Sequence, residues 1–251
     1  VISDAPTFSG ELMRTLRRAV VAAVLGASLA ARVDAQLPTV QQVYDKFAKA
    51  VGGRDAWAKV TDRAEKGTAN FEFAGLSGSY ERYYSAPNKF RLVIDLGVGK
   101  VEQGSNGAVA WTSQPGVGAK RMATEDSAYV LESSATGSAF LDPSRFAKVA
   151  VIAQESFDGV PCIKVALTTK SGRSRVDYFE VATGLRRGFV LTTADGEQKT
   201  VFQEYKAFEG KMVATKFVQS NPQGNAIFTI ASVTFTANNA SLFDLPPGVA
   251  K

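Results

Sequence analysis

The sequence predicts an α+β fold in which a curved antiparallel sheet wraps partly around a helix. Three observations predict it. One amphipathic helix stands near the N-terminal side, and beyond Lys66 the apolar pattern changes to a period of two that runs almost to the end. Between about 123 and 155 that alternation breaks into segments that read as helical or mixed.

The first element is "TVQQVYDKFAKAVGG", with Val40, Val43, Tyr44, Phe47 and Val51 on one helical stripe, Thr39 as N-cap and Gly52 past the end. A short second helix is expected over Arg54 to Val60, anchored by Trp57. The strand pattern begins with "TANFEFAG", which places Phe71 and Phe73 on one face, and continues in "NKFRLVIDL", where Phe90, Leu92, Ile94 and Leu96 alternate with polar residues. Further strands are expected near 78–84, 100–104, 107–112, 160–168, 174–181, 185–193, 198–206, 211–219 and 225–235. "NG" at 106–107 and "DG" at 195–196 are two-residue turn signals, and Glu209-Gly210 joins two more strands. In the strand after that turn, Met212, Ala214 and Val218 are expected to face the cavity or core, and Glu204 can lie opposite Lys216. So many antiparallel strands would leave long edges in a flat sheet, which favours curvature.

Composition removes several function classes. The 251 residues contain no histidine and a single cysteine, Cys162. That excludes Ser-His-Asp and Cys-His catalysis, an HExxH zinc site and an intramolecular disulfide. The glycine pairs in "DLGVGKVEQG" and "QPGVGAKR" lack the third glycine of a dinucleotide loop. No cofactor or metal is expected. The net charge of +5 comes from scattered lysines and arginines, which gives no nucleic-acid footprint. A carboxylate-pair hydrolase stays open in principle, but Glu72, Glu81, Asp95, Glu102, Glu180 and Glu204 fall where an alternating strand faces solvent or meets a turn.

The N-terminal stretch from Met13, "MRTLRRAVVAAVLGASLAARVDAQ", has a basic start, a short apolar run and small residues at Val33 and Ala35. This is the grammar of a secretory signal peptide cleaved after Ala35, with residues 1–12 upstream of it and 36–251 as one mature domain. The apolar run is short for a membrane span, and no cysteine follows the cleavage point to carry a lipid anchor. A soluble, monomeric periplasmic protein is the expectation.

Three stretches resemble the periplasmic lipoprotein carrier LolA and its outer-membrane relative LolB. "APNKFRLVI" (Ala86 to Ile94) is similar to their Pro-Asn strand, and "SNGAVAWTSQP" (Ser105 to Pro115) to their Gly-Trp-Pro hairpin. "SLFDLPPGVAK" (Ser241 to Lys251) is similar to their terminal segment. The resemblance implies an incompletely closed half-barrel holding a hydrophobic cavity, with the helices, including the insert near 123–155, as lid. It implies binding of lipid acyl chains or acylated lipoproteins without chemistry. The residues placed in that cavity are Phe71, Phe73, Phe90, Leu92, Ile94, Trp111, Phe189 and Phe228, for each of which ordinary core is the competing reading. The carriers have an arginine before the Pro-Asn pair where this chain has Ala86, so a lid governed by that residue is not implied. A second reading on the same fold is an envelope interaction or sensory module with a protein partner, as in anti-sigma-factor regulators that resemble LolA.

Overall fold

The computed structural model describes residues 36–193 and 196–249. The predicted leader over residues 1–35 and the Asp195 half of the 195–196 turn lie outside the described residues. The described residues form three α-helices, α1 (Val40–Ala50), α2 (Arg54–Ala58) and α3 (Thr124–Ser133), and thirteen strands. The strands are β1 (Asp62–Phe71), β2 (Leu76–Ser85), β3 (Lys89–Asp95), β4 (Lys100–Ser105), β5 (Ala110–Gln114), β6 (Gly118–Arg121) and β7 (Lys148–Phe157), followed by β8 (Val160–Thr168), β9 (Ser174–Glu180), β10 (Arg186–Thr193), β11 (Gly196–Phe208), β12 (Lys211–Asn221) and β13 (Gly224–Thr234). All belong to one sheet in the order β6-β5-β4-β3-β2-β1-β13-β12-β11-β10-β9-β8-β7, with every neighbouring pair antiparallel. Two meanders, β1–β6 and β7–β13, are therefore joined where the first strand meets the last. Because β6 and β7 do not pair, the sheet is not closed into a barrel. This is the α+β half-barrel that the alternation and the resemblance predict.

Helix α1 forms as its sequence dictates. The Thr39 hydroxyl accepts from the Gln42 backbone N–H at 3.2 Å, and the Gln42 side chain accepts from the Thr39 N–H at 2.8 Å, a reciprocal capping box. Its apolar stripe buries Val43, Tyr44, Phe47 and Ala48 against the sheet, with Tyr44 and Phe47 at 5.5 and 5.3 Å from the Phe179 ring. The helix stops at Gly52 (φ +108°), whose missing Cβ would stand 2.5 Å from the Gly210 carbonyl oxygen. Close by, the Val51 carbonyl accepts from both the Trp57 indole and the Met212 backbone N–H. The main core thus lies between α1, α2 and one face of the sheet, with Ala69, Tyr80, Ile94, Val165 and Phe228 among its members. A smaller cluster of Phe157, Cys162, Tyr178 and Val201 covers part of the opposite face.

Several local expectations need correction. β1 ends at Phe71 and the chain turns into a single 3₁₀ turn over Glu72–Ala74, so Phe73 leaves the strand and is 51% exposed. The 106–107 turn is longer than two residues, because Ser105 pairs with Ala110 and the Asn106 side chain accepts from the N–H groups of Ala108 and Val109. The region 123–155 is not all insert. "KVAVIAQESF" forms β7, the edge strand, whose apolar residues on both faces mask the period of two. The short strand β6 was not anticipated either. Met212 and Ala214 do stand at the cavity wall, but Val218 pairs with Val201 of the opposite face, and the most buried positions of β12 are Val213, Thr215 and Phe217. The alternation of β12 is unbroken, but its buried set is the odd-numbered one, Lys211, Val213, Thr215 and Phe217, in which a lysine and a threonine make the buried face read as the polar one.

Candidate functional site

Between the concave face of the sheet and the helices lies a cavity of about 400 Å³. Its sheet wall follows two rows of cross-strand neighbours, of which only Leu92 is set in the adjoining core and not in the lining. On one arm, Glu65 of β1 pairs with Arg82 of β2, Arg82 with Leu92 of β3, and Leu92 with Gln103 of β4. On the other, Asp177 of β9 pairs with Phe189 of β10, Phe189 with Thr200 of β11, and Thr200 with Gln219 of β12. Residues opposite one another in neighbouring strands share a face, so each row presents its side chains together. Sheet curvature brings both rows around one space.

A bulge lies beside each row. The register shifts between Lys66 and Gly67, and again between Arg186 and Gly188. Both glycines are required by close approach: a Cβ on Gly67 would meet the Thr229 carbonyl oxygen at 1.9 Å, and one on Gly188 the Thr200 carbonyl oxygen at 2.1 Å. Bulges bend a strand and re-aim the side chains beside it. Here they bend β1 next to Glu65 and β10 next to Arg186, both of which line the cavity.

The lining is aromatic and charged at once. Trp57, Phe140, Phe146, Phe202 and Phe217 supply apolar wall, while Arg63, Arg82, Arg145, Arg175 and Arg186 face only two carboxylates, Glu65 and Asp177. Asp177 accepts from Arg175 Nε and Nη2, both at 2.7 Å, and Arg186 Nη1 lies 3.6 Å from it. Burial pushes the Asp177 carboxyl upward, but Arg175 and Arg186 outweigh burial and hold it below the usual carboxylate range. On the other arm, Glu65 lies 3.1 Å from Arg63 Nε and 3.8 Å from Arg82 Nη1. Stacking on rings accompanies the ion pairs: Arg63 sits 4.4 Å from the Tyr84 centroid, Arg186 4.9 Å from Phe202 and Arg175 5.0 Å from Phe189. Burial drives the Tyr44 and Tyr205 hydroxyls well above the ordinary tyrosine value, so both stay neutral.

Helix α3 and the residues after it cover this space. Tyr129, Val130, Ser133 and Ser134 line it, and the helix is tied at two far-apart places in the sheet. The Ser127 hydroxyl accepts from the Ala110 N–H of β5, while the Glu132 carboxylate accepts from the N–H groups of Lys170 and Ser171 in the β8–β9 turn. Asp126 pairs with Arg173 of that same turn. The helix is a strap from one arm of the sheet to the other, with no fully buried residue of its own.

Of the eight residues expected in the cavity, Phe90 and Phe189 line it. Phe71, Leu92, Ile94 and Phe228 belong to the neighbouring hydrophobic core, where Phe228 stacks on the cavity-lining Phe217 with centroids 4.7 Å apart. Trp111 is on the opposite face: it pairs with Gly104, which pairs with Arg91, one position out of step with the Arg82–Leu92–Gln103 row. There it is almost completely buried under the Arg91 guanidinium, 4.6 Å from its ring. Phe73 is at the surface. None of Glu72, Glu81, Asp95, Glu102, Glu180 and Glu204 lines the cavity; Glu102 pairs with Arg91, Asp95 with Lys100, and Glu204 with Lys216 at 3.9 Å across β11 and β12. The charged lining residues were missed because an arginine or acid in an alternating strand reads as its solvent face. One signal could have found them. Both acids stand in the pattern Arg-x-acid, Arg63-x-Glu65 and Arg175-x-Asp177, which puts arginine and carboxylate on the same face of one strand.

No model of a protein family matches the chain, and no curated protein matches it. Solved structures do. A DUF1329 family protein from Desulfovibrio piger superposes with a TM-score of 0.57 at 16% identity, over 82% of this chain and 97% of that one. A LolA superfamily protein from Nitrosomonas europaea gives 0.57 at 12% identity, over 83% and 98%. A domain described as an outer membrane lipoprotein-sorting protein, from Vibrio parahaemolyticus, gives 0.55 at 12% identity, over 80% and 95%. Among the described residues no helix is long and apolar enough to cross a membrane. The curved open sheet, its helical cover and these superpositions together make the chain LolA-like in fold.

Proposed function

We propose that this protein is a non-catalytic carrier of the envelope that holds the acyl chain of a lipid or an acylated polypeptide in its half-barrel. The observation that carries the reading is the cavity itself, about 400 Å³ walled by Trp57, Phe140, Phe202 and Phe217 between sheet and helices. That volume falls in the usual range of small-ligand sites, roughly 300–1,000 Å³. Each methylene withdrawn from water contributes about 0.8 kcal/mol, so the aromatic part of this wall can hold a chain without any reaction. Uptake and release require only a change in how much apolar surface is buried, with α3 and the residues after it as the part that moves. A leader over residues 1–35 and a periplasmic site of action belong to the same proposal.

The buried Asp177 carboxylate favours a carrier over a hydrolase. A general acid needs a raised pKa, whereas Asp177 is held ionised by its arginines. The test is native mass spectrometry, with solvent extraction, of the protein purified from a periplasmic extract. Copurifying acyl species that a delipidated sample takes up again are expected. A protein that carries none, and that takes up no acyl probe after delipidation, would overturn the reading and leave the interaction-module alternative.

A further inference from the structure

The carrier reading accounts for the aromatic wall but not for the arginines, since an acyl chain alone gains nothing from buried guanidinium groups. Arg145, Arg175 and Arg186 converge around the single carboxylate of Asp177. Arg175 forms the bidentate pair with it, and Arg186 is the more distant partner. Arg145 has no ion-pair partner among the described residues; its guanidinium donates to the Glu132 carbonyl and stands 5.0 Å from the Phe146 ring. Burial and the repulsion of Arg175 and Arg186 lower its pKa, the mark of an uncompensated positive potential. Two buried atoms at the same wall, Arg186 Nε and the Thr200 hydroxyl, have no hydrogen-bond partner among the described residues. Buried donors of this kind are costly to leave unsatisfied unless a ligand completes them.

We propose that this cluster is an anion site within the carrier's cavity, which takes the carboxylate or phosphate head of a single-chain amphiphile. Arg145 and Arg186 supply guanidinium donors to the head, Thr200 supplies a hydroxyl, and the tail lies along Phe202 and Phe217. Arg175 stays committed to Asp177 and positions the cluster. The chemistry favours arginine for this task, because its planar fork is always charged and stacks on Phe189 and Phe202 without losing its donors. The inference rests on the carrier reading for the tail, but the head-group site stands on its own residues.

The test compares ligands of one chain length on the delipidated wild-type protein, by competition with a fluorescent acyl probe. The ligands are palmitate, palmitoyl lysophosphatidic acid and uncharged monopalmitin, with inorganic phosphate as the tail-free control. At least one of the anionic amphiphiles is expected to bind about tenfold or more tighter than monopalmitin, and whether palmitate or the phosphate ester leads tells which head the site takes. Arg145→Gln, which strands no carboxylate, is expected to remove most of that preference by weakening the anionic amphiphiles far more than monopalmitin. Arg145→Lys should retain part of it. Equal binding of all three amphiphiles would overturn the anion site and leave the carrier standing. Stabilisation by inorganic phosphate with no amphiphile uptake would keep the arginine site and overturn the carrier. Binding of nothing at all would overturn both.

Discussion

Replacing Asp177 by asparagine tests how much of the fold depends on the balance of charge inside it. Asp177 is 1% exposed, and the Arg175 side chain that grips it is 10% exposed, so solvent screens the pair little. The amide keeps the shape but loses the charge and one of the two acceptor oxygens, leaving three guanidinium groups around a neutral side chain. Breaking a buried pair from one side typically costs about 3–5 kcal/mol. With a urea dependence of about 2–3 kcal/mol per molar, the unfolding midpoint should fall by roughly 1–2.5 M. The double variant Arg175→Met, Asp177→Leu removes the bidentate pair in similar volume but still leaves Arg186 and Arg145 without a carboxylate, so it is expected to recover part, not all, of the stability that Asp177→Asn loses. Acid sharpens the test. The folded-state pKa of Asp177 is depressed, so its contribution is present above the unfolded-state value near 3.9 and is lost as pH falls through the folded value. Wild type should therefore lose stability below about pH 4 more steeply than Asp177→Asn. Circular dichroism under urea at neutral pH and at pH 3 to 4 reads all of this. A single variant within about 1 kcal/mol of wild type, or a double variant as unstable as the single, would refute the argument from unpaired buried charge.

Other expectations follow from packing and from the strap. Gly67→Val and Gly188→Val should each lower the melting temperature severely, because their Cβ atoms would lie 1.9 and 2.1 Å from backbone carbonyl oxygens that cannot withdraw; differential scanning calorimetry measures it, and a near-native melting temperature would count against the bulge geometry. Glu132→Ala should cost only about 1–2 kcal/mol overall while raising amide hydrogen exchange at Lys170 and Ser171, since it removes their acceptors and not the core. Trp57 lines the cavity and Trp111 lies on the other face, so an acyl ligand should change tryptophan fluorescence in Trp111→Phe but not in Trp57→Phe; the opposite pattern would place the ligand elsewhere.

The architecture was legible because most of it is written in local grammar. Thr39 and Gln42 announce the start of α1, Glu209-Gly210 forms the expected tight turn with both residues at positive φ, and Glu204 does meet Lys216 across the following hairpin. The long strands show their period of two because only one face of each is fully wetted or fully buried. The period failed at β7, where an edge strand carries alanine and valine on both faces, and at Phe73, where a strand ended two residues early. The site was far less legible. Its aromatic members could not be told from core, since Leu92 and Phe228 lie in the same layer as Phe90 and Phe189 and differ only in where the helices leave space. Its charged members were hidden for a stronger reason. A sheet covered on both faces, as β9 is by Tyr178 on one side and Asp177 on the other, gives no hydropathy cue to which side holds the polar cluster.

The seam between β1 and β13 has a consequence for when the cavity comes into being. Each meander can zip by short hairpins, but the seam pairs Ala64 with Thr234, contacts that span nearly the whole described chain. Contacts so distant in sequence pay a large loop-closure entropy and form slowly. Until they form, the Glu65 row and the Asp177 row belong to two separate half-sheets. The space that would receive a ligand is thus complete only once this long-range pairing has formed, and before that each half-sheet carries an open edge in its place.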